Sequence, residues 1–220
     1  MSSHDVVIAA SILASDFSNL AGEVRRAENS GVDWLHLDVM DGHFVDNISF
    51  GPAVVAAVRG CSAMPTDVHL MVTRPDHYFS RFAAAATNIT VHVEAEHDVA
   101  KTLGDIRAAG CTAGLALNPG TEFESVVPFL SAIDLLLVMT VHPGFGGQGF
   151  IENTMEKVSA ARNVRQRDGF QFRIEVDGGI NVTTAKTSVE NGADTLVAGT
   201  SLFGASDMTR AIAELRPTAR

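Results

Sequence analysis

Apolar strand-like segments alternate with segments of helical spacing along all 220 residues, and three helix ends repeat one pattern at wide, even intervals. With 46% hydrophobic residues available for a large core, these observations predict an α/β fold of the TIM (β/α)8 barrel type, eight parallel strands within surrounding helices. The repeated ends read Asn29-Ser30-Gly31-Val32-Asp33, Ala108-Ala109-Gly110-Cys111-Thr112 and Glu190-Asn191-Gly192-Ala193-Asp194. Their glycines lie 79 and 82 residues apart, with three strand–helix units in each interval. A unit therefore takes about 27 residues and eight units fill the chain, so residues 1–220 are expected to form one barrel domain.

Each element has its own signal. Val6 to Leu13 is an apolar strand candidate, Ser15-Asp16 starts a helix, and Leu20, Val24 and Ala27 recur at helical spacing up to Gly31. The second strand begins at Trp34, and after a loop from Asp41 to Gly51 the proline at 52 opens a helix with Val54, Val55 and Val58 inward. Thr66 to Met71 reads as strand three, Asp76 to Ala86 as a helix, Ile89 to Val93 as strand four, and Val99, Leu103 and Ile106 mark the helix up to Gly110. Thr112 to Leu117 is strand five; Thr121 and Glu124 have capping-box spacing for a helix through Leu130. Asp134 to Thr140 is continuously apolar, as a strand covered on both faces should be. A helix over 152–167, a strand over 173–176, a helix over 183–190, a strand over 195–198 and a last helix marked by Met208, Ile212 and Leu215 complete the pattern.

A formal charge of −10 argues against a nucleic-acid surface, which needs clustered Lys and Arg, and leaves only local anion sites. Cys61 and Cys111 are too few for a disulfide framework and lack metal-site spacing, which fits a reducing cytoplasmic setting. Met1 to Asp5 has no positive leader region, and no uninterrupted apolar run reaches membrane-spanning length, so no signal peptide and no membrane partner are expected.

In this fold, sites form at the carboxyl ends of the strands. The period of two puts Trp34, His36, Asp38 and Met40 on one face of strand two, and Leu35, Leu37 and Val39 on the other. Asp67, His69 and Met71 share a face of strand three in the same way. An imidazole and a carboxylate on a strand face are costly to bury unless that face serves a site. His36, Asp38 and His69 should meet Ser11, Met139 and Asp177 at one rim. Two nitrogens and two oxygens from His36, Asp38, His69 and Asp177 suit zinc, though manganese, iron or cobalt would accept them. His-x-Asp is common by chance, and each histidine taken singly is more often packed or solvated; four such groups at one rim carry the argument. Met40, Met71 and Met139 fall near the same rim, either as flexible core filler or as a polarisable cap over an intermediate. Glu94, Glu175 and His92 are better explained as supporting hydrogen-bond partners or interior packing than by a direct role.

The run His142-Pro143-Gly144-Phe145-Gly146-Gly147-Gln148-Gly149 follows strand six and can turn backbone amides toward an anion or close as a lid. Asp177-Gly178-Gly179-Ile180 and Ala198-Gly199-Thr200-Ser201 end strands seven and eight, where this fold commonly binds phosphate. Tight-turn glycines alone would read the same way; three such ends in succession favour a phosphate handle. Lys101, Lys157 and Lys186 fall at no strand end, which leaves Schiff-base chemistry without a nucleophile.

The chain resembles the ribulose-phosphate 3-epimerase family over nearly its whole length. The resemblance rests on Ser11-Ile12-Leu13-Ala14-Ser15-Asp16-Phe17, on His36 through Phe44, on Asp67-Val68-His69-Leu70-Met71, on Met139 through Gln148, on Val176 through Ile180 and on Val197 through Ser201. It implies one divalent cation held by His36, Asp38, His69 and Asp177, with Asp38 and Asp177 also the two acid/base residues. It implies substrate contacts from Ser11, His69, Met40, Met71, Met139 and Asp177, a covering loop of Gly144, Phe145, Gly146 and Gly147, and phosphate contacts from Gly178, Gly179, Gly199 and Thr200. The chain departs from the family pattern at Val45-Asp46-Asn47, where Pro-Asn usually follows His-Phe-Val, and at Thr200, where Ser is usual.

The reaction so implied interconverts ribulose 5-phosphate and xylulose 5-phosphate by removing a proton at C3 and returning one to the opposite face. A homo-oligomer in the cytoplasm, acting on a pentulose phosphate, is the expected assembly. Rival readings are a hexulose-phosphate 3-epimerase, a decarboxylase or synthase needing a catalytic lysine, and an inactive phosphate-binding barrel.

Overall fold

The computed structural model describes residues 6–216; the N-terminal segment Met1 to Asp5 lies outside them. Eight strands close into an all-parallel barrel in chain order: β1 Val7–Ser11, β2 Trp34–Met40, β3 Thr66–Met71, β4 Asn88–His92, β5 Thr112–Leu117, β6 Leu135–Met139, β7 Arg173–Asp177 and β8 Thr195–Ala198. The ring closes where β1 pairs with β8, Val7 beside Thr195. Helices α1 Leu20–Ser30, α2 Pro52–Cys61, α3 Pro75–Tyr78, α4 Val99–Ala108, α5 Met155–Asp168, α6 Val182–Asn191, α7 Thr200–Phe203 and α8 Met208–Leu215 lie outside. No helix among the described residues is long and apolar enough to cross a membrane.

The strand period sorts the core into two environments. Outward residues such as Leu35, Leu37, Val68, Leu70, Ile89 and Leu115 are fully buried against α1, α2 and α4 side chains including Val24, Val55, Val58, Leu103 and Ile106. At about 1.5–3 kcal/mol for each large apolar side chain buried, this annulus supplies most of the drive for closure. The inward residues divide by sector. Ala116, Leu135, Leu137 and Met139 of β5 and β6 pack as an apolar wall. His36, Asp38, Asp67, His69, Asn88, Thr90, His92 and Glu175 fill the interior facing it, all buried. Trp34 sits at the opposite end under the Arg173 guanidinium, 5.7 Å from the ring centre.

The three repeat glycines close their helices with positive φ, +90° at Gly31, +89° at Gly110 and +118° at Gly192, a conformation that favours glycine. Two expected helices do not form as such. Residues 121–130 make 3-10 turns, Phe123–Ser125 and Val127–Ala132. Pro128 cannot donate the bond a continuing α-helix needs, and it disfavours helical backbone at Val127. Thr121 does not cap a helix; its hydroxyl interacts with Glu94. Residues 76–86 form only α3 and a 3-10 turn at Phe79–Arg81, after which i→i+3 bonds from Phe82 to Phe79 and from Ala85 to Phe82 turn Phe82 into the core. The four-residue α7 is too short to show a periodicity and goes unmarked in the sequence.

Candidate active site

Parallel register builds the centre of the site. In the β2–β3 pair His36 lies beside Asp67 and Asp38 beside His69, so each imidazole acquires a carboxylate neighbour from the next strand. His36 Nδ1 is 2.6 Å from Asp67 Oδ2, and Asn88 Nδ2 donates to the other Asp67 oxygen at 2.6 Å. Burial alone would raise the Asp67 carboxyl, but His36 and Asn88 hold it below the usual range, so it accepts the His36 Nδ1–H. His36 Nε2 then faces Asp38 Oδ1 at 3.1 Å, and His69 Nδ1 reaches the same oxygen at 3.1 Å. Ser11 Oγ donates to Asp38 Oδ2 at 2.9 Å.

The two carboxyl groups at the mouth are driven apart in proton affinity. Burial opposes ionisation of Asp38, yet His36 and His69 together hold its pKa well below the ordinary carboxylate value. Asp177 has no such partner; burial and then the negative charge of Asp38 push it up to about 7. Such a split is what a site needs if one group is to accept a proton while the other donates one. His69 is pulled down to about 4, chiefly by burial, and is therefore neutral near pH 7. Burial also works against the protonated form of His36, but Asp38 and Asp67 on either side outweigh it and raise its pKa. Glu175 lies deeper, fully buried; burial and then the charge of Asp67 push its pKa well up.

Ligand atoms of His36, Asp38, His69 and Asp177 all lie within 4.8 Å of one another, a buried cluster able to hold a divalent cation. The donor set fits one. Two neutral-capable imidazoles and two carboxyl groups converge, and an unprotonated His36 Nε2 and His69 Nδ1 would direct lone pairs at the same carboxylate oxygen, an arrangement a positive charge relieves.

The cavity above this cluster is lined by Ser11, Asp38, Asp177 and the three methionines, Met40, Met71 and Met139, each at most 5% exposed. The loop Gly144, Phe145, Gly146 and Gly147 forms one wall, with Phe145 59% exposed. Gly178, Gly179, Gly199 and Thr200 form the wall beyond β7 and β8. Gly178 adopts φ +120°, and a Cβ there would come within 2.4 Å of Val141, so this close turn admits no side chain. His36 and His69 lie beneath the cavity floor, fully buried. Leu13, Val141, Gln148, Ile180 and Ser201 also line the cavity, and each stands inside one of the sequence motifs that carry the family resemblance.

The departure at Asp46 leaves its loop intact. Asp46 is exposed, while Asp41 holds the turn by accepting from the backbone of His43, Phe44 and Thr73. Asn47 ties this loop to the glycine loop, donating to the Gly144 carbonyl at 2.6 Å. Lys101 and Lys186 are exposed on helices, and the Lys157 ammonium caps the carbonyls of Asn118 and Pro119 outside the cavity, so no lysine lines the site.

The model of the ribulose-phosphate 3 epimerase family matches residues 7–203. The ribulose-phosphate 3-epimerase of Bacillus subtilis (strain 168) is 44% identical over 213 residues, covering 96% of this chain and 98% of the relative. The chloroplastic ribulose-5-phosphate-3-epimerase of Arabidopsis thaliana is 41% identical over 222 residues, covering all of this chain and 79% of the relative. Among solved structures, a 3-hexulose-6-phosphate synthase superposes with TM-score 0.66 at 18% identity, covering 96% of this chain and 98% of the other. That likeness shows a common barrel.

Proposed function

The chain belongs to the ribulose-phosphate 3-epimerase family and is an epimerase of that kind, and from this premise we propose how its own residues carry the reaction and what they act on. The substrate is D-ribulose 5-phosphate, interconverted with D-xylulose 5-phosphate. The observation that carries the mechanism is the opposed pair at the barrel mouth, an ionised Asp38 and an Asp177 whose pKa is pushed up to about 7.

Inversion at C3 needs a base on one face of the carbon and an acid on the other, because a single group would return the proton to the side it came from. Asp38 takes the C3 proton while Asp177 delivers one to the opposite face, and the roles exchange in the reverse direction. Ser11 orients Asp38 through its hydroxyl. Met40, Met71 and Met139 exclude water around the developing enediolate with side chains that make no competing strong hydrogen bonds. Loop residues Gly144, Phe145, Gly146 and Gly147 cover the substrate, while Gly178, Gly179, Gly199 and Thr200 receive its phosphate at the strand ends where this fold commonly binds that group. Thr200 retains the hydroxyl of the usual serine.

His36, Asp38, His69 and Asp177 hold the cation, with zinc favoured by the mixed nitrogen and oxygen donors and manganese, iron or cobalt acceptable. When bound, it supplies Lewis-acid stabilisation of negative charge on the substrate oxygens. Cys61 and Cys111 are free thiols, in keeping with a reducing cytoplasm. Exposed Phe17 and Ile48, at 50% and 76%, favour a homo-oligomer.

The substrate assignment is tested by assaying pentulose and hexulose 5- and 6-phosphates side by side. We expect kcat/KM for ribulose 5-phosphate to exceed that for a hexulose phosphate by at least about tenfold, the range of discrimination that small differences in fit provide. Preference for the hexulose phosphate would reassign the enzyme within the same scaffold.

A further inference from the structure

The loop between β2 and α2 stands as a rigid post on the strand that carries Asp38. Ser49 Oγ donates to the Asp38 carbonyl and accepts the Met40 N–H, so the end of the loop returns to the backbone it left. Asp41 and Ile48 pair as an antiparallel bridge across its base. The Asp41 carboxylate accepts the N–H groups of His43 and Phe44 within the loop and of Thr73 beyond β3, which fastens the post to the neighbouring strand end.

The loop after β6 is made of softer material. It carries glycines at 144, 146, 147 and 149, and Phe145 is 59% exposed. Glycine loses more conformational freedom than any other residue when it is fixed, so a tie from outside has its largest effect on such a segment. Gln148 braces the loop from within, its amide NH2 donating to the carbonyls of His142 at 2.6 Å and Phe145 at 2.8 Å. Asn47 braces it from the post. Its Nδ2 donates to the Gly144 carbonyl at 2.6 Å, and its Oδ1 accepts the Ile48 N–H at 2.9 Å. These two partners settle the orientation of the amide, since a carbonyl only accepts and an N–H only donates. The junction is packed as well as bonded: Val45 and Gly144 are buried, and a Cβ on Gly144 would stand 3.6 Å from the Val45 Cβ.

We propose that Asn47 is a positioning residue for epimerisation, a latch that holds the loop of residues 144–147 where it receives the substrate. Asn47 lies outside the residues that line the cavity and acts through Gly144. The proposal rests on the reading of that loop as the substrate cover and deepens it. Because the post is anchored on the backbone of Asp38 and Met40, the latch fixes the cover relative to the base itself. Without it a smaller fraction of molecules holds the loop in the receptive place; apparent affinity falls by that fraction, and the bound complex reacts as before.

Two variants of the metal-loaded enzyme separate the latch from the local turn. Asn47→Ala removes both bonds. Asn47→Asp is nearly isosteric and keeps an acceptor for the Ile48 N–H, but it sets a carboxylate oxygen against the Gly144 carbonyl. KM for ribulose 5-phosphate is expected to rise about 3- to 10-fold in Asn47→Ala and at least as much in Asn47→Asp, the range one hydrogen bond provides, with kcat within about twofold of wild type. Assay at high ionic strength screens the added charge of the aspartate. Hydrogen–deuterium exchange of the peptide covering residues 142–150, measured without substrate, should be faster in both variants. An equilibrium mixture of the two pentulose phosphates should slow that exchange in the wild type. An Asn47→Asp enzyme with wild-type KM and wild-type loop exchange would overturn the latch, because a merely local role for Asn47 is satisfied by aspartate. A lowered KM in Asn47→Ala would also overturn it, since the bond would then hold the loop away from the substrate. Exchange in the wild type that the pentulose phosphates do not slow contradicts the covering role of the loop instead, and the substrate-free comparison of the three proteins still decides whether Asn47 holds it.

Discussion

Asp177→Asn is expected to lower kcat for epimerisation by about 10³-fold while leaving the fold unchanged, because it removes the acid that delivers a proton to one face of C3. The change is nearly isosteric. It also removes both the group whose pKa the site pushes up to about 7 and one of the four proposed cation ligands, so the loss is one of chemistry at the site and not of packing. A second measurement separates this from simple damage. With Asp38 intact, the epimer whose C3 proton faces Asp38 should still exchange that proton with heavy water, without inversion, since the proton leaves and returns on one side. Asp38→Asn should abolish that exchange, and it also removes the shared partner of His36 and His69. Circular dichroism and thermal melting of each variant check the fold. Rates close to wild type in either variant would contradict the two-base assignment.

Stripping the cation with a strong chelator is expected to cost several kcal/mol of transition-state stabilisation, about 10³-fold in rate or more. Activity should return on adding back zinc, manganese, iron or cobalt, and the order of recovery identifies which ion the two imidazoles and two carboxyl groups prefer. The same removal should raise the barrier at both ends of the reaction, since His36, Asp38, His69 and Asp177 are shared by the two directions. Undiminished turnover in protein shown by elemental analysis to be free of divalent metal would remove the cation from the mechanism.

The strand-by-strand logic of the barrel is legible in the sequence because a side-chain period of two is a local property. Trp34, His36, Asp38 and Met40 read as one face without knowledge of any neighbour, and so do Asp67, His69 and Met71. What a single chain does not carry is register. That His36 pairs with Asp67 and Asp38 with His69 depends on how β3 slides along β2, which the whole closed ring decides. Asp67 therefore reads as one more polar residue on the site face, and its bond to His36 emerges only in three dimensions. The failed helix at 121–130 is of another kind: the capping-box spacing of Thr121 and Glu124 is genuine, but Pro128 seven residues on outweighs it. The signal for that correction was present in the sequence and conflicted with another.

Proton transfer between two carboxyl groups on opposite faces of C3 is read out by deuterium incorporation. Ribulose 5-phosphate should be converted by the metal-loaded enzyme in heavy water, under single-turnover conditions, and the xylulose 5-phosphate product analysed at C3 by proton NMR. Deuterium is expected at C3 of the product, because Asp177 delivers a hydron that it has exchanged with solvent. Product that retains its original hydrogen at C3 would contradict it.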